Sequence, residues 1–298
     1  MPEALVKHPD VAVVSATWSV SATRIARVRY CVIGDIGGHR EVLAKLLARA
    51  GCSPGQGRIP DDLTVVQVGD LVHRGPDSAG VVSLVDEFLA GPDGDRWLQL
   101  AGNHEAQYVR PGGATFRWDE VLPESTIATL RRWWDQGWMV PAVDAGGVLV
   151  THAGLTRGFW QSLGEPGSAR ETAAAINGLP RERSSSLWRE GVLILGVPMA
   201  GAGPLWASAS DEVIPGWLGY PVPFTQIMGH SSLVNRRGEL RTDDPHVIDT
   251  ITLLPAEGMG YATVAGRQFW CIDPTHTSEP APAWNGVIVD QGIVTPLG

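Results

Sequence analysis

The chain has 298 residues, of which 44% are hydrophobic and 18% charged, and this composition excludes an extended disordered protein. Its formal net charge of −9 argues against nucleic acid as the main partner, because binding to a phosphate backbone depends on clustered Lys and Arg. Three scattered cysteines, and no signal sequence or apolar run of about 18 residues, predict a reducing, cytoplasmic compartment and no membrane insertion.

The predicted elements begin after residue 27. Residues 1–27 show no clear hydrophobic period, and we expect an N-terminal arm whose role the sequence does not indicate. From residue 28 the chain alternates apolar runs with helical stretches, which is the rhythm of βαβ units in a parallel sheet. Strands are predicted at 28–33, 63–68 and 97–101, and helices at 40–50 and 79–89. We therefore expect a single domain over residues 28–298.

The second half of the chain begins with a predicted helix at 125–134, for which Ser125 is the N-cap candidate. Further strands are predicted at 140–143, 148–151, 224–228, 262–264, 269–272 and 287–289. Residues 158–217 form an insertion with two helix-like pieces, at 169–177 and 185–191, among Gly- and Pro-rich turns. We expect this insertion to cap the mouth of a site.

Five predicted strands end in the same way, with a small or polar residue followed by a side chain that can bind a metal. These side chains are Asp35, Asp70, Asn103, His152 and His230. Ligands of open α/β sheets lie outside the carboxyl ends of the strands, so residues placed there converge although they are distant in sequence. Gly-Asp after a strand is usually a turn, and a strand-end His is usually structural. The ordered set of five nevertheless predicts a site for Mn, Fe, Zn or Co.

Five segments surround these residues: GDIGGHREVL (34–43), GDLVHRGPDS (69–78), GNHEAQY (102–108), THAGL (151–155) and GHSS (229–232). Together they resemble the motifs of the calcineurin-like metallophosphoesterases, in particular the branch of Ser/Thr protein phosphatases and symmetrical diadenosine-tetraphosphate hydrolases. The resemblance implies an α/β fold in which a two-sheet β-sandwich is flanked by helices in four layers. It also implies hydrolysis of phosphate esters or phosphoanhydrides by a metal-activated water.

The resemblance further implies how the ligands are shared between two metal ions. By it, Asp35 holds the first metal and Asp70 bridges the pair. Asn103, His152 and His230 would hold the second metal. The implied cofactor is one or two divalent ions, Mn in the first place, with Fe, Zn, Co or Ni as alternatives.

Three further residues receive roles in contact with the phosphate. By the resemblance, His104 lies beside the scissile bond as general acid, and Arg74 clamps phosphate oxygens. Arg157, just past THAGL, is a candidate for a second phosphate contact, with a surface salt bridge as the alternative.

Two positions depart from the family pattern. Gly37 stands where the first motif has a metal-binding His, and His73 replaces an Asp that orients the general acid. Three explanations for Gly37 stay open. Water could replace the missing imidazole, or His39 or His73 could reach inward because the glycines leave space. The third is a degenerate site that binds phosphate or protein without turnover.

His73 also changes the expected acid–base chemistry. A carboxylate beside His104 would raise the pKa of His104. An imidazole is a neutral acceptor or, when it is charged, repels a protonated His104. We therefore expect an activity optimum that differs from that of carboxylate-bearing relatives.

Two functions from different classes follow from the sequence. The first is a hydrolase acting on a phosphorylated small molecule or a phosphoprotein, including dinucleoside polyphosphates, with leaving-group specificity in the insertion at 158–217. The second is a non-catalytic phosphate-binding or scaffold protein with a degenerate metal site. The retained acid, clamp and five ligands favour the hydrolase, because a site without catalysis has no physical need of an acid beside a metal.

Overall fold

The computed structural model describes residues 28–113, 118–274 and 284–298, and the arm predicted over 1–27 lies outside them. The described strands form two six-stranded sheets. The strands are β1 (Arg29–Ile33), β2 (Leu63–Gln67), β3 (Trp97–Leu100), β4 (Met139–Val140), β5 (Ala142–Ala145), β6 (Val148–Thr151), β7 (Gln226–Met228), β8 (Ile251–Leu254), β9 (Met259–Val264), β10 (Arg267–Cys271), β11 (Gly286–Asp290) and β12 (Ile293–Pro296).

Each sheet has parallel strands at its centre. The first has the order β12-β11-β1-β2-β3-β4, in which β1 to β4 are parallel and β11 and β12 continue antiparallel. The second has the order β5-β6-β7-β10-β9-β8, in which β6, β7 and β10 are parallel. The carboxyl ends of the parallel strands therefore share one edge in each sheet.

The helices lie outside the two sheets. They are α1 (Arg40–Arg49), α2 (Ser78–Leu89), α3 (Asn103–Val109), α4 (Glu124–Asp135), α5 (Arg157–Ser162), α6 (Ala169–Asn177), α7 (Val192–Leu195), α8 (Ile214–Trp217) and α9 (Pro245–Ile248). Single turns of 3-10 helix occur at Gly94–Arg96, Ser186–Trp188 and Pro255–Glu257, and a π turn at Ala209–Val213. The longest helices of the described chain have 12 residues, too few to cross a bilayer, which takes about 20.

Side-chain alternation along the strands produces the four layers. In β1, Val32 packs between the sheets, whereas Cys31 and Ile33 pack on the helix side of the first sheet. In β10, Trp270 packs between the sheets, and Phe269 packs on the far side of the second sheet. The predicted fold, a two-sheet β-sandwich flanked by helices, is confirmed.

One predicted strand is two strands in different sheets. The apolar run 140–143 is divided at Pro141, with β4 in the first sheet and β5 in the second. Proline has no N–H to donate to a ladder, so the chain leaves the first sheet there.

Other local predictions were also wrong. Ser125 is not an N-cap, because α4 already begins at Glu124 after Pro123. The helix predicted at 185–191 is a 3-10 turn at Ser186–Trp188, and the following α7 starts at Val192. Strands β8 and β12 were not predicted, because their residues alternate too little between polar and apolar to be distinguished from loops.

The strand ends of the two sheets meet at close range. A Cβ at Gly34 would lie 2.2 Å from the backbone oxygen of Ile272, so the end of β1 directly abuts the chain after β10. The loop after β1 is tied to the loop after β2 by Gly37 N, which donates to Asp70 O at 2.7 Å. Gly229 N donates to His152 O at 2.8 Å and joins the ends of β6 and β7.

Candidate metal centre

Three strand-end glycines allow the predicted ligands to converge. A Cβ at Gly69 would lie 2.4 Å from the backbone nitrogen of Gly102, and a Cβ at Gly102 would lie 2.2 Å from an Asp70 carboxylate oxygen. A Cβ at Gly229 would lie 1.9 Å from the carboxylate of Asp35. Gly69, Gly102 and Gly229 directly precede Asp70, Asn103 and His230. A larger residue at any of the three positions would collide with a neighbouring loop.

Four of the predicted ligands form a cluster in which His230 is half-buried and the other three are buried. Candidate ligand atoms of Asp70, His152 and His230 all lie within 4.8 Å of one another, and His152 Nε2 is 3.3 Å from Asp70 Oδ1. The side-chain oxygen of Asn103 lies 2.9 Å from His152 Nε2 and 2.8 Å from His230 Nδ1. These side chains come from four strand ends, as the sequence analysis anticipated.

The donor set of this cluster fits a divalent transition metal. The geometry lets His152 donate its Nδ1–H to Val68 O at 3.0 Å, which leaves a lone pair on Nε2 facing the cluster. The amide of Asn103 can face the imidazoles with either atom: its nitrogen would donate to both rings, and its oxygen would join them as a ligand. One carboxylate, two imidazoles and an amide oxygen suit Mn, Fe, Zn or Co.

Asp35 lies beside the cluster, and a further carboxylate accompanies it. Asp35 accepts the backbone N–H of His230 at 3.0 Å. Burial, followed by the charges of Asp273 and Asp70, raises the pKa of Asp35 well above its ordinary value. Asp273 is 6% exposed and was missed by the sequence analysis, although it follows the apolar run of β10 as Asp35 follows that of β1.

Strand register explains where Asp273 lies. Cys271 of β10 pairs with Met228 of the parallel strand β7, and Asp273 and His230 each lie two residues beyond that pair. Ile272 N donates to Met228 O at 2.8 Å, so the two chains stay together up to the site. Asp273 and His230 consequently line the same cavity.

Glu105 holds the loop of Asp70 in place. Its fully buried carboxylate accepts backbone N–H groups from Asp70 and Gly102, each at 2.8 Å, and from Leu71 at 2.9 Å. The GNHE motif contains this residue, but only the structure shows that it links the second strand-end loop to the start of α3.

His104 lies next to the carboxylate of Asp70. Its Nε2 is 3.2 Å from Asp70 Oδ2, and its Nδ1 is 2.8 Å from Val72 O. Burial, then the charge of Arg74, lowers the pKa of His104 well below its ordinary value. The ring is therefore neutral near pH 7 unless an anion binds beside it.

His73 packs against the back of His104. The two ring centroids are 5.1 Å apart, and His73 Nε2 is 2.7 Å from the Tyr108 hydroxyl. Burial, then Arg74, lowers the pKa of His73 to about 4. His73 thus stands in the layer behind the candidate acid, and its Nε2 contacts Tyr108.

The remaining predicted residues are not part of this cluster. His39 Nδ1 is 3.0 Å from Ile36 O, and its ring is 5.0 Å from that of Trp284. The guanidinium of Arg157 lies 3.6 Å from the ring centroid of Tyr220. Arg74 is exposed and lines a cavity of about 470 Å³ together with His230 and Asp273, so it is placed to contact a ligand there.

Backbone strain is concentrated at this centre. Among the described residues, seven non-glycine residues have positive φ, and four of them belong to the site: Asp70, His73, Arg74 and His230. Such conformations cost free energy and persist where the surrounding structure imposes them, which is common at functional sites.

Comparison with known proteins identifies the family. The family model of the calcineurin-like phosphoesterases matches residues 28–255, which include all five predicted ligands. The chain belongs to the calcineurin-like phosphoesterase family. The matched range includes Gly37 and His73, the two positions that depart from the resembled motifs.

Individual members of the family match parts of the chain. A symmetrical bis(5'-nucleosyl)-tetraphosphatase of Dechloromonas aromatica (strain RCB) is 31% identical over 164 residues, 52% of this chain and 54% of that protein. The same enzyme of Acidovorax sp. (strain JS42) is 40% identical over 88 residues, 30% of this chain and 27% of that protein. The chain thus spans about half the length, or less, of these curated relatives.

The solved structures extend the likeness to nearly the whole fold. The cold-active protein-tyrosine phosphatase of a psychrophilic Shewanella superposes with a TM-score of 0.53 and 14% identity, over 91% of this chain and 81% of that one. Because the identity is only 14%, the superposition shows a shared fold and nothing further.

The titration of Asp70 predicts a pH-dependent metal affinity. Burial raises the pKa of Asp70 to about 7, so below that pH a metal must displace a proton, whereas the lowered pKa of His152 keeps its imidazole free. We expect the affinity for Mn²⁺, measured by calorimetry on chelator-treated protein, to fall about tenfold per unit as pH decreases below about 7. Equal affinities at pH 6 and pH 8 would contradict the raised pKa.

Proposed function

We propose that this protein is a metal-dependent hydrolase of phosphate esters or phosphoanhydrides. The observation that supports this most directly is the convergence of a carboxylate, an amide and two imidazoles beside His104, at the wall of a cavity that Arg74 also lines. Membership of the calcineurin-like phosphoesterase family agrees with the proposal. Each residue of this arrangement has a use in attack on phosphorus.

The proposed ligands divide into two groups. Asp70, Asn103, His152 and His230 would hold one divalent ion, with Mn²⁺ as the first candidate. Asp35 would hold a second ion that shares Asp70. When bound, the metal supplies a hydroxide near neutral pH and neutralises charge on the phosphate oxygens.

Asp273 is our candidate for the metal ligand that Gly37 does not supply. The structure places Asp273 next to His230 by register and close enough to Asp35 for its charge to raise the pKa of Asp35. Three buried carboxylates, Asp35, Asp70 and Asp273, repel one another unless a cation is shared between them. His39 is turned to Ile36 O instead, which leaves Asp273 as the better replacement.

The chain's own side chains would carry the proton and the negative charge. Arg74 would contact phosphate oxygens, and Asn103 would stabilise charge that develops during attack. A bound phosphate would raise the pKa of His104, whose protonated ring Val72 O stabilises by accepting Nδ1–H at 2.8 Å. His104 would then protonate the leaving oxygen.

The natural substrate is a phosphorylated small molecule or a phosphoprotein. The named activity of the matching tetraphosphatases favours a dinucleoside polyphosphate. We expect the insertion at 158–217 to select the leaving group, since Leu193 and Ser208 of this segment line the cavity. A non-catalytic phosphate-binding protein is disfavoured, because His104 beside the ligands has no role in binding alone.

Activity is expected to require both the metal and the acid. Chelator-treated protein should hydrolyse p-nitrophenyl phosphate only after Mn²⁺ is added, and Asn103→Ala and His104→Ala should each lower kcat by about 100-fold or more. His246→Ala, at an exposed histidine of α9, is the matched control and should retain activity. Turnover in the presence of chelator, or full activity of His104→Ala, would contradict the mechanism.

The imidazole of His73 is expected to set the pH profile. His73→Asp places a negative charge behind His104 and should raise its pKa, moving the alkaline limb of the pH–rate profile upward by about one unit. His73→Asn, which adds no charge, serves as the control. Superimposable profiles for the wild type and His73→Asp would remove this role.

Metal content tests the role of Asp273. Asp273→Asn should lower the affinity for Mn²⁺ by about tenfold or more, measured as metal bound per chain after dialysis. Asp211→Asn makes the same change in the same cavity and should leave the metal content unaltered. If both variants bind Mn²⁺ like the wild type, Asp273 is not part of the centre.

A further inference from the structure

The cavity beside the metal centre is bordered by arginines that the mechanism does not use. It holds about 470 Å³, and its lining includes Arg74 and His230 at the centre and Arg236 and Arg241 farther along the chain. A volume of this size accommodates a ligand larger than one phosphate group. The two distal arginines belong to residues 233–241, which we call the arginine hairpin.

Backbone pairing fixes the shape of the arginine hairpin. Val234 and Leu240 form an isolated antiparallel bridge, Asn235 N donates to Glu239 O at 2.8 Å, and Arg241 N donates to Leu233 O at 2.9 Å. The hairpin therefore presents its side chains from a folded turn.

Asn235 closes the tip of the arginine hairpin and also binds Glu239, the acidic residue of the hairpin. Its side-chain oxygen accepts the backbone N–H of Arg237 at 2.8 Å and of Glu239 at 3.2 Å. Its side-chain nitrogen donates to the Glu239 carboxylate at 2.9 Å. Glu239 is thus held by Asn235, and its charge is not paired with a neighbouring arginine.

The arginines of the hairpin are not held in ion pairs, unlike some arginines elsewhere in the described chain. Arg29, Arg96 and Arg132 each form an ion pair with an aspartate. Within the described ranges, neither Arg236, Arg237 nor Arg241 does so, although the chain carries a net charge of −9. The hairpin arginines are exposed, so an anion can reach them.

The arginine hairpin is anchored directly to the metal centre. It begins three residues after His230, and between them Ser231 Oγ accepts the backbone N–H of Ala209 at 2.9 Å. Arg241 Nε donates to Val234 O at 3.1 Å, which orients its guanidinium and leaves the terminal nitrogens for a ligand. Positive charge therefore continues from Arg74 into the cavity.

Two carboxylates also line this cavity, and both have other roles. Asp273 belongs to the metal centre described above. Asp211 accepts hydrogen bonds from the hydroxyl groups of Ser208 and Ser210.

We propose that Arg236 and Arg241 bind the phosphate groups adjoining the one that is hydrolysed, so that the site prefers substrates with a polyphosphate chain over simple monoesters. This inference rests on the proposed hydrolase function and specifies its substrate class. Guanidinium groups match phosphate oxygens in charge and in fork geometry. Each further phosphate of a chain can therefore bind a further arginine. A monoester has no adjoining phosphate for Arg236 and Arg241 to bind.

Inhibition of p-nitrophenyl phosphate hydrolysis tests the proposal with Mn²⁺ in excess over each inhibitor. Inorganic tripolyphosphate should inhibit the wild type more strongly than orthophosphate. Arg236→Gln and Arg241→Gln should each raise the inhibition constant of tripolyphosphate about tenfold more than that of orthophosphate, since each removes a charged hydrogen-bond donor. Tripolyphosphate has no organic group, so contacts at Leu193 do not enter the comparison.

Arg237→Gln is the matched control. It changes the same charge on the same hairpin, but Arg237 does not line the cavity at the metal centre. Arg237 lines an adjoining cavity of about 340 Å³, which Arg236 and Arg241 also border. Its ratio of inhibition constants should equal that of the wild type. Equal ratios in all three variants would overturn the proposal.

A second measurement separates this inference from the proposed function. If the wild type shows no metal-dependent turnover, the hydrolase proposal fails. Calorimetric titration of the same variants with tripolyphosphate then tests the hairpin directly. Weaker binding in Arg236→Gln and Arg241→Gln than in Arg237→Gln would support a polyphosphate site without hydrolysis, and equal binding would refute it.

Discussion

The candidate metal centre brings several carboxylates and imidazoles together in a place from which water is largely excluded. Asp35 and Asp70 are each 3% exposed, and burial is the main reason that the pKa of each carboxyl group is raised. A fold gains nothing from such a cluster by itself, because buried like charges repel. A bound cation reverses the sign of this interaction, so the same arrangement that costs stability without metal is a strong binding site with it.

The rest of the centre keeps these groups in place. Glycines at 69, 102 and 229 admit loops that a Cβ would push apart, and Glu105 holds the backbone of the Asp70 loop through buried N–H groups. Positive φ at Asp70 and His230 is part of the same construction. The sandwich supplies the rigidity for this strain, since parallel strands of both sheets end at the site.

At the candidate metal centre, each departure from the family pattern can be related to the neighbouring residues. Gly37 provides no imidazole, and the proposed replacement, Asp273, comes from the other sheet, beside His230. His73 is a neutral ring packed on His104 and joined to Tyr108. On the solvent side, the arginine hairpin extends the positive charge of Arg74 into the cavity. The centre is thus assembled from loops of both sheets, and its chemistry depends on how these loops are placed relative to one another.

The sequence by itself determined most of the strands and the order of the ligands, because a buried strand followed by a small residue and a polar side chain is a local pattern. Asp35, Asp70, Asn103, His152 and His230 could be found this way. The two-sheet class came from the resemblance of the motifs to a known family. Only the tertiary structure decided that Pro141 divides one apolar run between two sheets, that His39 turns to Ile36 O, and that Asp273 lies close enough to Asp35 to raise the pKa of its carboxyl group. These features depend on pairing between segments far apart in the chain, and no local pattern encodes which distant partner a strand end will meet.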